Sequence, residues 1–268
     1  MTSIHPRSGS DVGVFILARN EQKNIRRSLE ALRESSWDVI VLDSGSTDAT
    51  PDIVRESGFA RLQDYVYRDH CIAYNEITSQ LGSAYRHVVI LDSDMIVSVD
   101  LRQEIDALTR AGGFDAVDVG IEMCVDGTPL RFGSLCPPKP FLFATGQSYF
   151  ENVGHGERLR EGLRVQRATH KLRHDDRKDY ADYLQSQARY SRNLVVRKAA
   201  GELSGRDRIR VRWPLLVFAV PFVSYFLKGG FLDGKAGALY ALDRLIAEAI
   251  MYRQALADRR PGNREVGE

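Results

Sequence analysis

Residues 88–94, VVILDSD, decide both the fold class and the chemistry predicted for this chain, because an apolar run ends in two carboxylates two residues apart. The run from Val88 to Leu91 predicts a buried β-strand. On extended backbone, side chains at this spacing point to the same side, which would bring Asp92 and Asp94 together. Hard oxygen ligands of this kind can hold a divalent cation, and the cation can hold a diphosphate. Asp-x-Asp is also common where a polar strand end simply opens a loop, so the surrounding sequence must decide.

Two strand-turn-helix units precede this strand. Residues 12–17 predict a first buried strand and residues 18–21 a polar turn, while residues 39–42 predict a second strand and residues 43–48 its turn. A helix follows each turn; its signals are apolar Ile25, Leu29 and Leu32 in the first unit, and Thr50 as N-cap, Pro51 at the first helical position and Gly58 as the stop in the second.

Alternating units of this kind predict an α/β fold with a parallel sheet. Ligands of such open sheets bind beyond the carboxyl ends of the strands. The polar residues expected at that edge are Asn20, Glu21, Asp43, Asp48, Asp92 and Asp94. Three polar strand ends would therefore meet in one crevice.

Three segments of the chain resemble, in order and spacing, the signature segments of family 2 glycosyltransferases with the GT-A fold. They are residues 14–25 (VFILARNEQKNI), 41–50 (VLDSGSTDAT) and 88–94 (VVILDSD). Residues 226–240 (FLKGGFLDGKAGALY) resemble the tail of bacterial enzymes related to the lipopolysaccharide-core glucosyltransferases. The resemblance implies a mostly parallel, mixed sheet flanked by helices. It also implies a nucleotide-diphospho-sugar donor, Mg²⁺ or Mn²⁺ as cofactor and inversion at the anomeric carbon.

The resemblance also implies a set of site residues. The donor-binding residues would be Ala18, Asn20, Glu21, Asp43, Ser44, Asp48 and Asp92, and the metal ligands Asp92, Asp94 and His174. Ser44 stands where the commoner family pattern has a second carboxylate, which leaves the base preference open. Tyr74 stands where many members carry a basic residue, so Arg68 or Lys139 would have to neutralise the diphosphate. Alternatively, Asp43 and Asp48 would only satisfy the backbone amides of their own turn.

An inverting transfer needs a group that takes the proton from the acceptor hydroxyl. Four candidates lie in the middle of the chain: His155, Glu157, Asp175 and Asp176. Similarity to the family favours Glu157, whereas a later family position favours Asp176, so both are predicted catalytic residues. The alternative for His155 is a loop residue between glycines, and for Asp175 and Asp176 an acidic first turn of the next helix, where each would contribute less than about 1 kcal/mol.

Composition excludes several other classes. With 268 residues, 43% of them apolar, and a net charge of +1, the chain can bury a full core and does not have the charge of a nucleic-acid-binding protein. The three cysteines, Cys71, Cys124 and Cys136, form no CxxC pair and indicate a reducing compartment, not a disulfide framework or a zinc site. Residues 1–11 are polar, and no apolar core of a signal peptide follows them.

The C-terminal third combines a basic block with an apolar one. Arg206, Arg208, Arg210 and Arg212 precede the uncharged residues 213–227 (WPLLVFAVPFVSYFL). This run is short for a membrane span, and aromatic residues beside cations favour attachment to an anionic membrane surface. A buried helix and a tilted span over residues 211–232 remain alternatives. The last predicted helix, residues 236–253, is amphipathic.

The predicted organisation is a GT-A-like domain over residues 11–200, a helical membrane-proximal appendage over 201–257 and a polar tail over 258–268. The predicted activity is metal-dependent transfer of a sugar to a lipid-linked or cell-envelope glycan, at the inner face of the bacterial cytoplasmic membrane. Nucleotidyl transfer is an alternative, although residues 18–22 lack the glycines of a phosphate loop. A catalytically silent, membrane-associated scaffold is another.

Overall fold

The computed structural model describes residues 9–152, 157–199, 208–209, 212–213 and 215–257. Its contacts divide the chain into two compact units. The sheet unit comprises residues 1–127, 136–152 and 156–177, and the helical unit comprises residues 128–135, 153–155 and 178–268. The predicted polar tail, residues 258–268, lies outside the described residues.

The sheet unit alternates strands and helices, as its sequence predicts. Its strands are β1 (Val12–Ala18), β2 (Asp38–Asp43), β3 (Arg61–Asp64), β4 (His87–Asp92), β5 (Met95–Ile96), β6 (Ala116–Val125), β8 (Lys139–Ala144), β9 (Phe150–Asn152), β10 (Glu157–Leu159) and β11 (Val165–His174). Strand β7 (Thr128–Pro129) belongs to the helical unit. Its helices are α1 (Ile25–Leu32), α2 (Thr50–Glu56), α3 (His70–Glu76), which continues as a π-helical turn over Ile77–Leu81, and α4 (Val99–Ala111).

The central sheet runs β3-β2-β1-β4-β8-β6-β11-β5. Strand β1 pairs in parallel with β2 and β4, and β2 pairs in parallel with β3. Strand β8 is antiparallel to both β4 and β6, whereas β11 is parallel to β6 and antiparallel to β5. The predicted fold class, α/β with a mostly parallel, mixed sheet flanked by helices, is confirmed.

Alternating residues of the central strands enter two separate apolar cores, as expected for a sheet covered on both faces. Val14 and Ile16 belong to one core, and Phe15 to the other. Helix α1 buries Ile25, Leu29 and Leu32 in the first core. These predicted elements agree with the structure.

One local prediction, Thr50 as the N-cap of the second helix, is wrong. Thr50 is the first helical residue, and the N-cap is Ala49. The Thr50 hydroxyl instead accepts a hydrogen bond from the backbone N–H of Glu21 at 2.7 Å, so it joins two loops of the sheet edge. Gly58 ends the helix region as predicted, with φ of 75°, a conformation that glycine adopts without strain.

The helical unit contains α5 (Tyr180–Ala199), α6 (Leu216–Phe222), a π-helical turn (Val223–Leu227), a 3₁₀ turn (Gly230–Asp233) and α7 (Gly234–Ala257). The Asp233 carboxylate accepts the backbone N–H groups of Arg131, Phe132 and Gly133 at 2.8, 3.1 and 2.8 Å. A Cβ atom on Gly237 would lie 1.8 Å from the carbonyl oxygen of Gly230, so glycine is required there. The contact with Gly230 explains the glycine at position 237 in the tail segment, residues 226–240.

Among the described helices, none is by itself long and apolar enough to cross a membrane. Residues 216–227 and 230–257 meet that test only as a pair, and the two are bent by 68° at the break between them.

Candidate functional site

The loops that follow β1 and β2 interlock at the carboxyl edge of the sheet. The backbone N–H of Asn20 donates to the Ser46 hydroxyl at 2.8 Å, and the Asn20 side-chain oxygen accepts the N–H of Thr47 at 2.8 Å. Asn20 has a left-handed φ of 55°, which asparagine tolerates better than most residues. The Asn20 side chain therefore holds the two loops together.

The carboxylates of the second loop stabilise its turn. Asp43 accepts the backbone N–H of Ser46 at 3.0 Å, and Asp48 accepts those of Thr50 and Gln22 at 3.0 and 3.1 Å. Partial burial would raise the pKa of Asp48, but the hydrogen bonds from Thr50 and Gln22 outweigh it and lower that pKa. The contacts with Ser46 and Thr50 are those of the alternative in which the turn satisfies its own amides, whereas Gln22 belongs to the first loop.

The first loop and the second also meet through their backbones. The N–H of Ser44 donates to the carbonyl oxygen of Ala18 at 2.9 Å. Ala18 is buried, whereas Glu21 and Ser44 are half-buried at the same sheet edge. A nucleoside-binding role for this predicted set stays a prediction.

The Asp-Ser-Asp segment bends more sharply than the sequence argument assumed. Asp92 is the last residue of β4, and Ser93 and Asp94 form a turn before β5. The premise of extended backbone through Asp94 is therefore wrong. The Ser93 hydroxyl donates to the carbonyl oxygen of Leu17 at 2.7 Å, which fixes the turn against β1.

Asp94 faces His174, the residue predicted to share its metal. Its Oδ2 lies 3.3 Å from Nε2 of His174, and its carbonyl oxygen accepts the N–H of Asp175 at 3.0 Å. Pairing of β11 with β5, with His174 opposite Met95, brings the two segments together. Burial raises the pKa of Asp94, helped by the nearby carboxylates of Asp92 and Asp176 and opposed by His174.

Asp92 is paired with a cation instead. Lys139, the first residue of β8, donates to Asp92 Oδ2 at 2.8 Å. Burial would raise the pKa of Asp92, but the Lys139 ammonium outweighs it and lowers that pKa. The same pair raises the pKa of Lys139. Burial alone would lower that pKa, but the Asp92 carboxylate, together with Tyr74, outweighs it.

Asn24 connects the first loop to the end of β11, and sequence reasoning did not single it out. Its side-chain nitrogen donates to Glu21 Oε2 at 2.9 Å and to Asp176 Oδ1 at 2.8 Å. Its oxygen accepts from Arg27 at 3.0 Å and from the backbone N–H of Arg177 at 2.8 Å. The available signal was an asparagine directly before the first apolar residue of the predicted helix, a common N-cap position, but its partners could not be predicted from the sequence.

The two adjacent aspartates predicted as alternatives for the base have different environments. Asp175 is buried and accepts from Arg27 at 2.7 Å and from Arg177 at 2.9 Å, so it is part of an ion-pair cluster. Asp176 is exposed and is held by Asn24. Neither carboxylate lies in the first turn of α5, which begins at Tyr180, so the helix-dipole alternative is wrong.

Glu157 lies on the hairpin formed by β9 and β10, opposite Asn152. This hairpin is tied to α3 because the side chain of Asn75 both donates to the carbonyl oxygen of Phe150 and accepts its N–H, each at 2.9 Å. The backbone of Glu157 is thus held by the sheet unit. His155, the neighbouring candidate, lies outside the described residues.

The residues around Asp94 fit a divalent cation. Oδ1 of Asp94 and Nδ1 of His174 are buried and have no hydrogen-bond partner within the described chain. In the part of the chain that the structure describes, no group of three or more His, Cys, Asp or Glu side chains is arranged to hold a metal ion. Mg²⁺, however, is usually held by one or two carboxylates together with waters and substrate phosphates. Asp94 and His174, with Asp92 beside them, fit a site completed by a diphosphate.

Comparison with known proteins gives one family match. The model described as glycosyl transferase family 2 matches residues 13–158. No match was found among curated protein sequences. Among solved structures, residues 1–349 of Staphylococcus aureus TarS are 13% identical, with 91% of each chain covered and a TM-score of 0.45. Glucosyl-3-phosphoglycerate synthase from Mycobacterium tuberculosis, in complex with Mn²⁺, UDP and glucosyl-3-phosphoglycerate, is 17% identical, with 74% of this chain and 82% of that chain covered and a TM-score of 0.45.

Proposed function

The chain belongs to glycosyl transferase family 2, and from that premise we propose that it moves a sugar from a nucleotide-diphospho-sugar to a lipid-linked or cell-envelope glycan, with inversion. The observation that carries the proposal is the meeting of Asp92, Asp94 and His174 at the carboxyl edge of the sheet. Open α/β sheets bind their ligands at this edge.

The donor half of the proposal uses the groups around Asp94. A divalent cation, Mg²⁺ or Mn²⁺, bound there would neutralise the charge that develops on the leaving diphosphate. Asp94 and His174 would hold this ion, with Asp92 alongside. The loops at Ala18 to Glu21 and Asp43 to Asp48 would line the nucleoside, and their mutual hydrogen bonds fix their shape before the donor arrives.

The acceptor half needs one general base. We assign this role to Glu157, with Asp176 as the competing candidate. The base takes the proton of the acceptor hydroxyl while its oxygen attacks the anomeric carbon, and the bond from that carbon to the diphosphate breaks. Attack from the side opposite the leaving group accounts for inversion. Asp175 is unsuited to this role because two arginines already hold it.

The helical unit carries the proposed membrane-binding surface. Its apolar members, each at least half exposed, are Trp213, Leu215, Phe218, Phe222, Phe226, Leu227, Phe231 and Leu232. Arg208, Arg212 and Lys228 are exposed in the same stretch of chain, whereas Arg206 and Arg210 lie outside the described residues. Aromatic side chains at the headgroup boundary and cations facing anionic lipid are the combination typical of interfacial attachment. We place the enzyme on the inner face of the bacterial cytoplasmic membrane.

A vesicle experiment tests this surface. The protein should co-sediment with anionic vesicles at low ionic strength, release in part at high salt and bind neutral vesicles more weakly, because each cation near the surface contributes about 1 kcal/mol. Phe218→Ser together with Phe222→Ser should weaken binding, and Leu256→Ser, an exposed residue outside this surface, should not. A protein that stays soluble with every vesicle would contradict the surface. Release by detergent alone would indicate a span.

The activity is tested by incubating the purified protein with a panel of nucleotide sugars, Mn²⁺ and a bacterial membrane-lipid extract. We expect sugar to enter the lipid fraction with an equal amount of nucleoside diphosphate released, and the product to have the inverted anomeric configuration. Pyrophosphate formation from a sugar phosphate and a nucleoside triphosphate would instead indicate a nucleotidyltransferase. A protein that neither turns over nor binds any donor would contradict the proposed function.

A further inference from the structure

Lys139 places a positive charge inside the crevice. Its side chain is 19% exposed, and its ammonium lies 2.8 Å from Asp92 Oδ2, 3.4 Å from the Tyr74 hydroxyl and 3.7 Å from the Met95 sulfur. The ammonium also lies 5.9 Å from the centre of the Tyr74 ring. A lysine that is mostly withdrawn from water needs a partner to compensate, and Asp92 supplies it.

Three arginines of the sheet unit, Arg27, Arg68 and Arg177, are committed to other carboxylates. Arg68 forms a close ion pair with Glu76 and is 55% exposed. Arg27 and Arg177 both bind the buried Asp175. Of the two cations that the sequence offered for the diphosphate, Lys139 is therefore the one beside the Asp-Ser-Asp turn.

Because Lys139 pairs with Asp92, the two carboxylates of the Asp-Ser-Asp turn have different electrostatic surroundings. Asp92 has its negative charge balanced by Lys139, whereas Asp94 Oδ1 has no hydrogen-bond partner among the described residues. An ammonium group has three N–H donors. Here the bond to Asp92 is short, whereas those to the Tyr74 hydroxyl and the Met95 sulfur are long, so a phosphoryl oxygen could replace either of these two. A diphosphate that approaches Asp92 directly would be repelled, but one that approaches through Lys139 would gain a charge-assisted hydrogen bond.

We propose that Lys139 is a donor-binding residue whose ammonium bridges Asp92 and a phosphoryl oxygen of the donor diphosphate. Asp92 then acts through Lys139, and Asp94 with His174 is left to the cation. This assignment rests on the proposed function, because it supposes that a nucleoside diphosphate occupies the crevice. It predicts that part of the diphosphate affinity is independent of metal.

Calorimetric titration of Lys139→Gln separates this contribution. The probes are a nucleoside, its monophosphate and its diphosphate, for each of the common bases, in EDTA and in Mn²⁺. Diphosphate affinity should fall about tenfold or more in both buffers, the size expected for losing a hydrogen bond between charged groups. Nucleoside affinity should stay unchanged. Lys139→Arg should recover most of the loss, and Lys171→Gln, an exposed lysine of β11, should match the wild type.

Two outcomes distinguish the assignment from the function beneath it. Wild-type protein that binds no nucleoside diphosphate overturns the proposed function and the assignment together. If wild type binds diphosphate but Lys139→Gln binds it equally tightly, only the assignment of Lys139 is overturned. If circular dichroism shows that Lys139→Gln does not fold, the single variant Asp92→Asn is compared with the double variant Asp92→Asn/Lys139→Gln. The double variant removes both members of the ion pair, so it leaves no unpaired charge behind. The double variant should bind diphosphate more weakly, and equal affinity would refute the role of Lys139.

Discussion

Replacing Asn24 with alanine should destabilise the sheet unit markedly. The Asn24 side chain makes four hydrogen bonds within 2.8 to 3.0 Å, and the residue is buried. Three of the partners are charged: Glu21, Asp176 and Arg27. The fourth is the backbone N–H of Arg177.

The expected loss of stability depends on how well water can replace each of these hydrogen bonds in Asn24→Ala. Asp176 is exposed and Glu21 half-buried, so water should recover most of what these carboxylates lose. Arg27 and the Arg177 amide lose an acceptor at a partly buried position, where each unmade bond costs about 1 to 3 kcal/mol. We therefore expect Asn24→Ala to lower the free energy of unfolding by about 2 to 4 kcal/mol.

Tryptophan fluorescence can measure this loss in the sheet unit. The chain has 2 tryptophans; Trp37 is buried in the sheet unit, and Trp213 is exposed in the helical unit. In a Trp213→Phe background, urea unfolding followed at Trp37 reports on the sheet unit. The matched control is Arg26→Ala, two residues further along the chain in α1, which removes an exposed ion pair with Glu56 of α2 and should cost less than about 1 kcal/mol.

If Asn24→Ala and Arg26→Ala shift the urea midpoint equally, at unchanged slope, Asn24 does not organise the loop and the end of β11.

Three further changes probe other parts of the structure. Glu157→Gln should lower turnover by about two to four orders of magnitude at unchanged donor affinity, as expected for loss of a general base; Asp176→Asn should do less, and the reverse ranking would transfer the role to Asp176. Gly237→Ala should lower the melting temperature of the helical unit far more than Ala238→Gly, because its Cβ would lie 1.8 Å from the Gly230 carbonyl oxygen; equal shifts would contradict that contact. Glu104 accepts the N–H groups of Thr169 and His170 at 2.6 and 2.9 Å, and although burial opposes them, these bonds lower its pKa below the usual 4.5. The ionised Glu104 carboxylate should therefore stabilise the fold above pH 4.5 and lose this effect as the pH falls. The difference in melting temperature between wild type and Glu104→Gln should narrow on acidification, and a difference that does not depend on pH would contradict this role of Glu104.

The sequence predicted the part of the sheet that depends on local pattern. Strands β1, β2 and β4 are apolar runs that end in polar turns, and the structure has all three with their ends at one edge. The order of strand, turn and helix was sufficient for this, because parallel strands must place their carboxyl ends together.

The pairings that complete the site could not be predicted, because they depend on distant segments. Lys139 reaches Asp92 across 47 residues, and only because antiparallel β8 is inserted beside β4. Asn24 reaches Asp176 across 152 residues. The prediction that Asp92 and Asp94 point to the same side rested on the two-residue periodicity of a strand. That periodicity applies only to extended backbone, and Asp94 lies in a turn.

Calorimetry of Asp94→Asn measures whether Asp94 takes part in metal-dependent binding of the donor diphosphate. Nucleoside diphosphate is titrated into wild type and variant, each in EDTA and in Mn²⁺. We expect Mn²⁺ to strengthen binding to the wild type and to have little effect on Asp94→Asn, while both bind alike in EDTA. An Mn²⁺-dependent gain in affinity that is the same in wild type and Asp94→Asn would show that Asp94 does not bind the metal.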